Sequence, residues 1–356
     1  MAQILQPQYN TCDGITPTNA LTFSIIMPCY NSESYVLNAL HSIQKQQYPF
    51  WELIAVNDGS TDGTLHILNE HAGKDPRIKV FSKENGGYVS AVNYGLGQIS
   101  GDYFLLLGSD DRLAENLLYE LNKTAEDGAP DCIAFRTVIV QDGNILGTEH
   151  ITDFSEEVSM FNTTFSEYVR TYPKHAKILS TRDTSKCYKR SLLGSLRYFG
   201  KYGFDADWIF SMLLCNNAIS FSAIPVDGYF WTLRKDSLSG RKTFFEQDCD
   251  RVKIWTEFYN HLLHQPAEEI TATELNYLYY FLEIMEQTWG ASHPFLSQHT
   301  LTKNAVAVIR KIVKKTDYSL SISKLSSLLL SFPVLWKLFI TFSGLLHSLV
   351  SKAKNR

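Results

Sequence analysis

Four short apolar runs constrain the fold of this 356-residue chain more than any other feature. They are Phe23-Ser-Ile-Ile-Met-Pro28, Trp51-Glu-Leu-Ile-Ala-Val56, Ile78-Lys-Val-Phe81 and Tyr103-Phe-Leu-Leu-Leu107. Runs of this length and content read as buried strands. The stretches between them carry helical spacing instead. Val36, Leu37, Leu40 and Ile43 fall within 33–46. Leu65, Ile67 and Leu68 follow Asp62, a residue type that caps helices. A third helix is expected over roughly 89–99 and a fourth from about Ala114, before a further strand over Cys132 to Val140. This alternation predicts an α/β fold, a mostly parallel sheet flanked by helices.

In open sheets of this kind, ligands bind beyond the carboxyl ends of the strands. The four strands run into Pro28-Cys-Tyr-Asn31, Asn57-Asp-Gly-Ser-Thr-Asp62, Glu84-Asn-Gly-Gly87 and Gly108-Ser-Asp-Asp111. One Asp-Gly is an ordinary turn signal. Four consecutive strand ends that deliver polar or acidic residues to one rim are a candidate binding site. No glycine-rich phosphate loop follows the first strand, which disfavours dinucleotide dehydrogenases and P-loop NTPases. A nucleotidyltransferase, another metal-using α/β enzyme, would need a Gly-rich basic loop where Pro28-Cys-Tyr-Asn-Ser-Glu33 stands. Gly95-Leu-Gly97 falls at the end of a predicted helix and reads as its termination. The net charge of -4 gives no basic field to recruit nucleic acid. Six cysteines include no CxxC pair, so neither a zinc knuckle nor a redox motif is suggested, and scattered thiols fit a reducing cytoplasm. The first residues lack the basic and apolar regions of a signal peptide, so a cytoplasmic location is expected.

Taken in order, Ile26-Met-Pro-Cys-Tyr-Asn31, Val56-Asn-Asp-Gly-Ser-Thr-Asp62, Glu84-Asn-Gly-Gly87 with Asn93, and Ser109-Asp-Asp111 resemble the family 2 inverting glycosyltransferases of the GT-A fold. The specific part of the resemblance covers about 22–115. A weaker part continues through Ser185-Lys-Cys-Tyr-Lys-Arg-Ser-Leu-Leu193 and Phe204-Asp-Ala-Asp-Trp208 to the stretch from Tyr229 to Ser239.

The resemblance implies transfer of a sugar from a nucleotide diphosphate sugar, uridine-linked by expectation, to a hydroxyl of a growing glycan or lipid-linked glycan. It makes Asp58 the acceptor for the base imide N–H, with Pro28, Tyr30 and Asn31 shaping the base and ribose pocket. Asn85, Gly87, Asn93, Ser109, Asp111 and Lys186 join the donor-binding set. Asp110 is the metal ligand, and carboxylate oxygen suits Mn2+ or Mg2+. Asp111 reads either as a sugar contact or as the N-cap of the following helix. Asp207 is the candidate general base, with Asp205 its rival, and each could instead cap a helix. Lys186 could equally be a surface lysine. Arg234, Lys235, Ser237, Ser239 and Arg241 match a segment that closes over the donor in the family, or form a solvated loop. Three departures stand out: Gly108 and Ala206 replace acids that are common in the family, and Val92 stands where an Arg often precedes the Asn. Gly108 and Ala206 keep open a second reading, a non-catalytic sugar-nucleotide-binding or membrane scaffold.

The expected organisation is a leader over 1–21, a GT-A domain over 22–245 with a donor half (22–140) and an acceptor half (141–245), and a helical region over 246–356. Within 333–352, Lys337, Thr341, Gly344, Ser348 and Lys352 share one helical face and Leu335, Leu338, Phe339, Phe342, Leu346 and Leu349 the other. With Lys354 and Arg356 beyond, this amphipathic pattern suits the surface of an anionic membrane. A helix docked on the core or on a partner subunit is the alternative. The sequence leaves the oligomeric state open.

Overall fold

A computed structural model describes residues 20–141, 144–148, 156–163, 165–172, 183–198 and 206–234. The chain divides into two units, 1–242 and 243–356, and every described residue lies in the first. Residues 1–19 of the leader and the region beyond 234, including 333–352, lie outside the described residues.

The strands are β1 (Phe23–Cys29), β2 (Trp51–Asp58), β3 (Ile78–Lys83), β4 (Tyr103–Leu106), β5 (Arg112–Leu113), β6 (Cys132–Gln141), β7 (Asn144–Thr148), β8 (Val158–Phe161), β9 (Lys186–Lys189) and β10 (Ser220–Thr232). The helices are α1 (Val36–Gln44), α2 (Thr64–Ala72), α3 (Tyr88–Leu96), α4 (Leu117–Glu126), α5 (Phe165–Thr171) and α6 (Ala206–Asn217). All ten strands join one sheet in the order β3-β2-β1-β4-β9-β6-β10-β5, with β7 beside β6 and β8 beside β10.

The first four strands form the expected parallel half: β2 and β4 flank β1, and β3 lies outside β2, all parallel. The second half is mixed. Strand β9 runs antiparallel to both β4 and β6, while β6 and β10 pair in parallel. Helices cover the faces of the parallel half, so β1 and β2 are buried almost throughout and read as continuous apolar runs. Helix α1 contributes Val36, Ala39, Leu40 and Ile43 to this core, a spacing that keeps them on one stripe. Leu37, expected with them, is 41% exposed. Gly95 does not terminate α3. It lies inside the helix, and a Cβ there would come within 2.6 Å of Ile26 Cγ2, so the glycine lets α3 press on β1. Gly97 is the residue that ends α3.

At the opposite end of the sheet from the rim, Glu52 is 5% exposed and ties three segments together. It accepts hydrogen bonds from Ser24 Oγ (2.6 Å), Lys79 Nζ (2.6 Å) and the Ser100 amide (2.6 Å). Burial alone would raise its pKa, but these donors outweigh burial and hold it at about 2.

Candidate active site

The carboxyl ends of β1, β2 and β4 meet the β3–α3 loop at one rim, and polar side chains lock these loops to one another. Asn31 adopts φ 47, and its amide donates to Ser60 Oγ while its side-chain oxygen accepts from the Thr61 amide. Ser32 Oγ and Ser109 Oγ are 2.7 Å apart, which joins the β1 and β4 loops. The Asp62 carboxylate accepts from the Thr64 amide at the start of α2 and from the Glu33 amide across the loop, although Gly63 and not Asp62 occupies the cap position.

Asp58 ends β2 and is 2% exposed. Its Oδ1 accepts from Lys83 Nζ (2.6 Å) and the Gly86 amide (3.0 Å), and its Oδ2 from the Gly87 amide (2.8 Å). Asn85 Nδ2 donates to the Asp58 carbonyl. The Asn85-Gly86-Gly87 turn thus wraps the carboxylate with backbone donors. Gly87 takes φ 83, a conformation that costs glycine little. A carboxylate has about four acceptor sites, so these three donors leave Oδ2 room for one more. Beside this pocket Tyr30 is 51% exposed, an aromatic face open to a ligand.

The two acids after β4 have different environments. Asp111 is 7% exposed. Its Oδ2 accepts from Tyr229 Oη at 2.5 Å and its Oδ1 from the Thr232 amide at 2.7 Å. Tyr229 Oη in turn accepts from the Gly108 amide. Burial and the Asp111 charge raise the Tyr229 pKa, so the phenol stays protonated and donates. Asp111 is not a helix N-cap: Arg112–Leu113 pairs with β10, and α4 starts later, with Asn116 at its cap position. Gly108 has a steric reason here, because a Cβ at this position would lie 2.5 Å from Asp111 Oδ2 and 3.0 Å from Asp110 Oδ1.

Asp110 is half-buried and faces Arg234, whose Nε and Nη2 lie 2.8 and 2.5 Å from Oδ2. Its charge also reaches Cys29 at the end of β1, whose thiol pKa is raised first by burial and then by Asp110. No group of three or more His, Cys, Asp or Glu that could cage a metal occurs among the described residues. Asp110 alone still fits Mg2+ or Mn2+, ions that bind through one or two carboxylates and complete their shells with water and substrate phosphate.

Asp207 lies in the first turn of α6, which begins at Ala206, so it stands inside the helix rather than at its cap. Ala206 is fully buried, and an acid there would bury a charge. Asp205 lies outside the described residues. Tyr88, which sequence reasoning missed, opens α3, and burial first, then the charges of Asp183, Asp207, Tyr229 and Asp111, raise its pKa. Its signal was its place, directly after Asn-Gly-Gly at the start of α3.

Two members of the expected donor set have surroundings that their side chains alone did not reveal. The Asn93 carboxamide clamps the backbone of Tyr198 on both sides, donating to its carbonyl and accepting from its amide. Lys186 is no surface lysine: it is fully buried on β9, and burial lowers its pKa against the opposing Cys215, Cys132, Asp183 and Asp207. Val92 is buried, so no Arg could occupy its place without displacing core.

Residues 24–193 match the family model described as glycosyl transferase family 2. That segment, which runs from β1 through β9, is similar to the family 2 glycosyltransferases. Glycosyltransferase GlyA of Streptococcus pneumoniae is 29% identical to this chain over 256 residues, covering 70% of the chain and 34% of GlyA. Poly(ribitol-phosphate) beta-N-acetylglucosaminyltransferase TarS of Staphylococcus aureus is 27% identical over 221 residues, covering 61% of the chain and 36% of TarS. The chain therefore spans about a third of the length of these relatives. The crystal structure of S. aureus TarS 1-349 in complex with UDP-GlcNAc superposes with a TM-score of 0.55 at 20% identity, covering 85% of this chain and 95% of that one. The α/β fold is thus the one seen in TarS.

Proposed function

We propose that this chain transfers a sugar from a UDP-sugar to a hydroxyl of a growing glycan, with inversion at the anomeric carbon. The observation that carries the reading is the rim itself: within the family-matched segment, the buried Asp58, the open Tyr30 face and half-buried Asp110 gather at adjacent strand ends. The remaining acceptor capacity of Asp58 suits a uracil imide N–H, and Tyr30 offers a ring for stacking. The TarS structure that shares this fold carries UDP-GlcNAc, which makes that nucleotide sugar the first to try.

In the displacement, the acceptor hydroxyl loses its proton to Asp207 while its oxygen bonds to the anomeric carbon. The bond from that carbon to the diphosphate oxygen breaks with its electron pair leaving on the diphosphate. Asp110 would hold a divalent cation, which when bound offsets the charge on the leaving diphosphate. Burial and the charges of nearby acids raise the Tyr88 pKa, so this phenol stays protonated. The acceptor is a glycan or lipid-linked glycan, and the amphipathic sequence at 333–352 would bring the enzyme to a membrane that presents it. No helix among the described residues is long and apolar enough to cross a membrane.

The test is calorimetric titration of UDP and UDP-GlcNAc with and without Mn2+, followed by assay for slow donor hydrolysis. Saturable, metal-dependent binding lost in Asp110→Ala supports the reading. A chain that binds neither UDP nor any of a panel of nucleotide sugars would remove it. Binding without any hydrolysis or transfer would favour the scaffold reading, which the substitutions at Gly108 and Ala206 motivate.

A further inference from the structure

The rim contains a cation of its own. Arg234 lies two residues past β10, and both its Nε (2.8 Å) and Nη2 (2.5 Å) reach Asp110 Oδ2. Its guanidinium carbon sits 3.9 Å from the centre of the Tyr35 ring. The two charged side chains keep only 19% and 22% of their surface in contact with solvent. The approach is fixed by hydrogen bonds on either side of the segment. Tyr229 Oη and the Thr232 amide hold Asp111, and the Leu233 amide donates to the Val140 carbonyl. Arg234 is therefore delivered to the carboxylate that the donor reading assigns to the metal.

A divalent ion and a guanidinium cannot share this carboxylate cheaply. The ion would sit about 2.1 Å from a carboxylate oxygen, which sets it a few ångströms from a full positive charge in a partly desolvated rim. A donor diphosphate changes that balance, because it brings negative charge and oxygen pairs that match the guanidinium fork.

We propose that Arg234 is the resting counter-cation of Asp110 and is exchanged for the divalent ion when the donor arrives, passing from the carboxylate to the diphosphate. The inference rests on the donor reading of the rim. Arg234 is then a positioning residue that makes metal and donor depend on each other. The ion alone meets a carboxylate already neutralised, whereas ion and nucleotide together release the guanidinium to a new partner. Such mutual dependence is a coupling free energy between two ligands, and it must appear in the binding of each.

The experiment uses the full chain, without acceptor, and follows free Mn2+ by electron paramagnetic resonance with and without UDP. Wild type should bind Mn2+ weakly alone and at least about tenfold more tightly with saturating UDP, in the range of ordinary allosteric couplings. Arg234→Gln should bind Mn2+ alone about tenfold more tightly than wild type, because the competing partly buried ion pair is gone. Its gain from UDP should shrink correspondingly. Arg234→Lys keeps the charge without the fork and should fall between the two. Adding Asp110→Asn to Arg234→Gln should abolish the gained Mn2+ affinity. Thermal unfolding checks that each variant is folded, and the Lys variant carries the test if the Gln variant is not.

Equal Mn2+ affinity in wild type, Arg234→Gln and Arg234→Lys, with binding still lost in Asp110→Asn, overturns the exchange and leaves the donor reading standing. Undiminished Mn2+–UDP binding in Asp110→Asn overturns both. UDP binding that ignores Mn2+ but disappears in Arg234→Gln would make the guanidinium a permanent substitute for the metal, which also overturns the exchange.

Discussion

Replacing Gly108 with alanine adds one methyl group at the most crowded point of the rim. That methyl would lie 2.5 Å from Asp111 Oδ2, 3.3 Å from Asp111 Cγ and 3.0 Å from Asp110 Oδ1. The Asp111 carboxylate cannot simply turn aside, because Tyr229 Oη and the Thr232 amide hold its two oxygens at 2.5 and 2.7 Å. Relief requires breaking at least one of these bonds inside a region where Tyr229 is 1% exposed and Asp111 7%. Hydrogen bonds to charged groups contribute about 1.5–3 kcal/mol each, so Gly108→Ala should destabilise the domain by about 2–4 kcal/mol. Gly73→Ala is the matched control. Gly73 closes α2 with φ -66, and a Cβ there meets nothing nearer than the Asn69 carbonyl oxygen at 3.5 Å. That substitution should be neutral or stabilise by about 0.4–1 kcal/mol, through the unfolded chain. Urea unfolding followed by circular dichroism compares the two, with the slope confirming that the same surface is exposed. A Gly108→Ala protein within about 0.5 kcal/mol of wild type, the scatter expected of an inconsequential surface change, would refute the steric account. If the account holds, the acid common at this position in the family is excluded here by packing, and Gly108→Asp should be worse still.

Asp207→Asn should keep donor affinity and thermal stability but lose about 100- to 10,000-fold in transfer rate, the usual effect of removing a general base. Near-normal transfer by Asp207→Asn together with loss in Asp205→Asn would move the base to Asp205. Removal of residues 333–356 should release the protein from anionic vesicles in a flotation assay while sparing donor hydrolysis, whereas unchanged vesicle binding would sink the membrane reading. The depressed pKa of Glu52, about 2, means that its contribution to stability is complete above the unfolded carboxyl value and is lost as pH falls through the folded one. Wild type should therefore lose stability between about pH 4.5 and 2 more steeply than Glu52→Gln, and parallel acid-unfolding curves would contradict this.

The parallel half was legible because each of its elements declares itself locally. A buried strand is a short apolar run, a helix has a period near four residues, and Asp62 accepts from the first amide of the helix it precedes. What escaped was set by partners far away in the chain. Strand β5 has two residues and exists only because it pairs with Tyr229 and Phe230. The antiparallel strand β9 slots between β4 and β6, and nothing in Lys186-Cys-Tyr-Lys189 specifies that register. In the site, the chemistry of Asn31, Asn93, Ser109 and Asp111 was plain from their side chains. Their actual partners, Thr61, Tyr198, Ser32 and Tyr229, are fixed by folding. Arg234 illustrates this best: a basic residue after a strand has many readings until the fold carries it across 124 positions to Asp110.

The placement of β9 also has a consequence during synthesis. Strands β1 to β4 can pair as soon as they emerge, but the outer edge of β4 is covered only by residues up to Lys189, 83 positions after Leu106. At about 5–20 residues per second, the ribosome leaves Tyr-Phe-Leu-Leu as an open edge for about 4–17 s. Such an apolar edge is a template for another nascent chain. A ribosome-arrested chain ending near residue 170 should therefore aggregate or recruit a chaperone more than one ending past 230. Equal behaviour of the two would mean that something other than β9 shields β4 first.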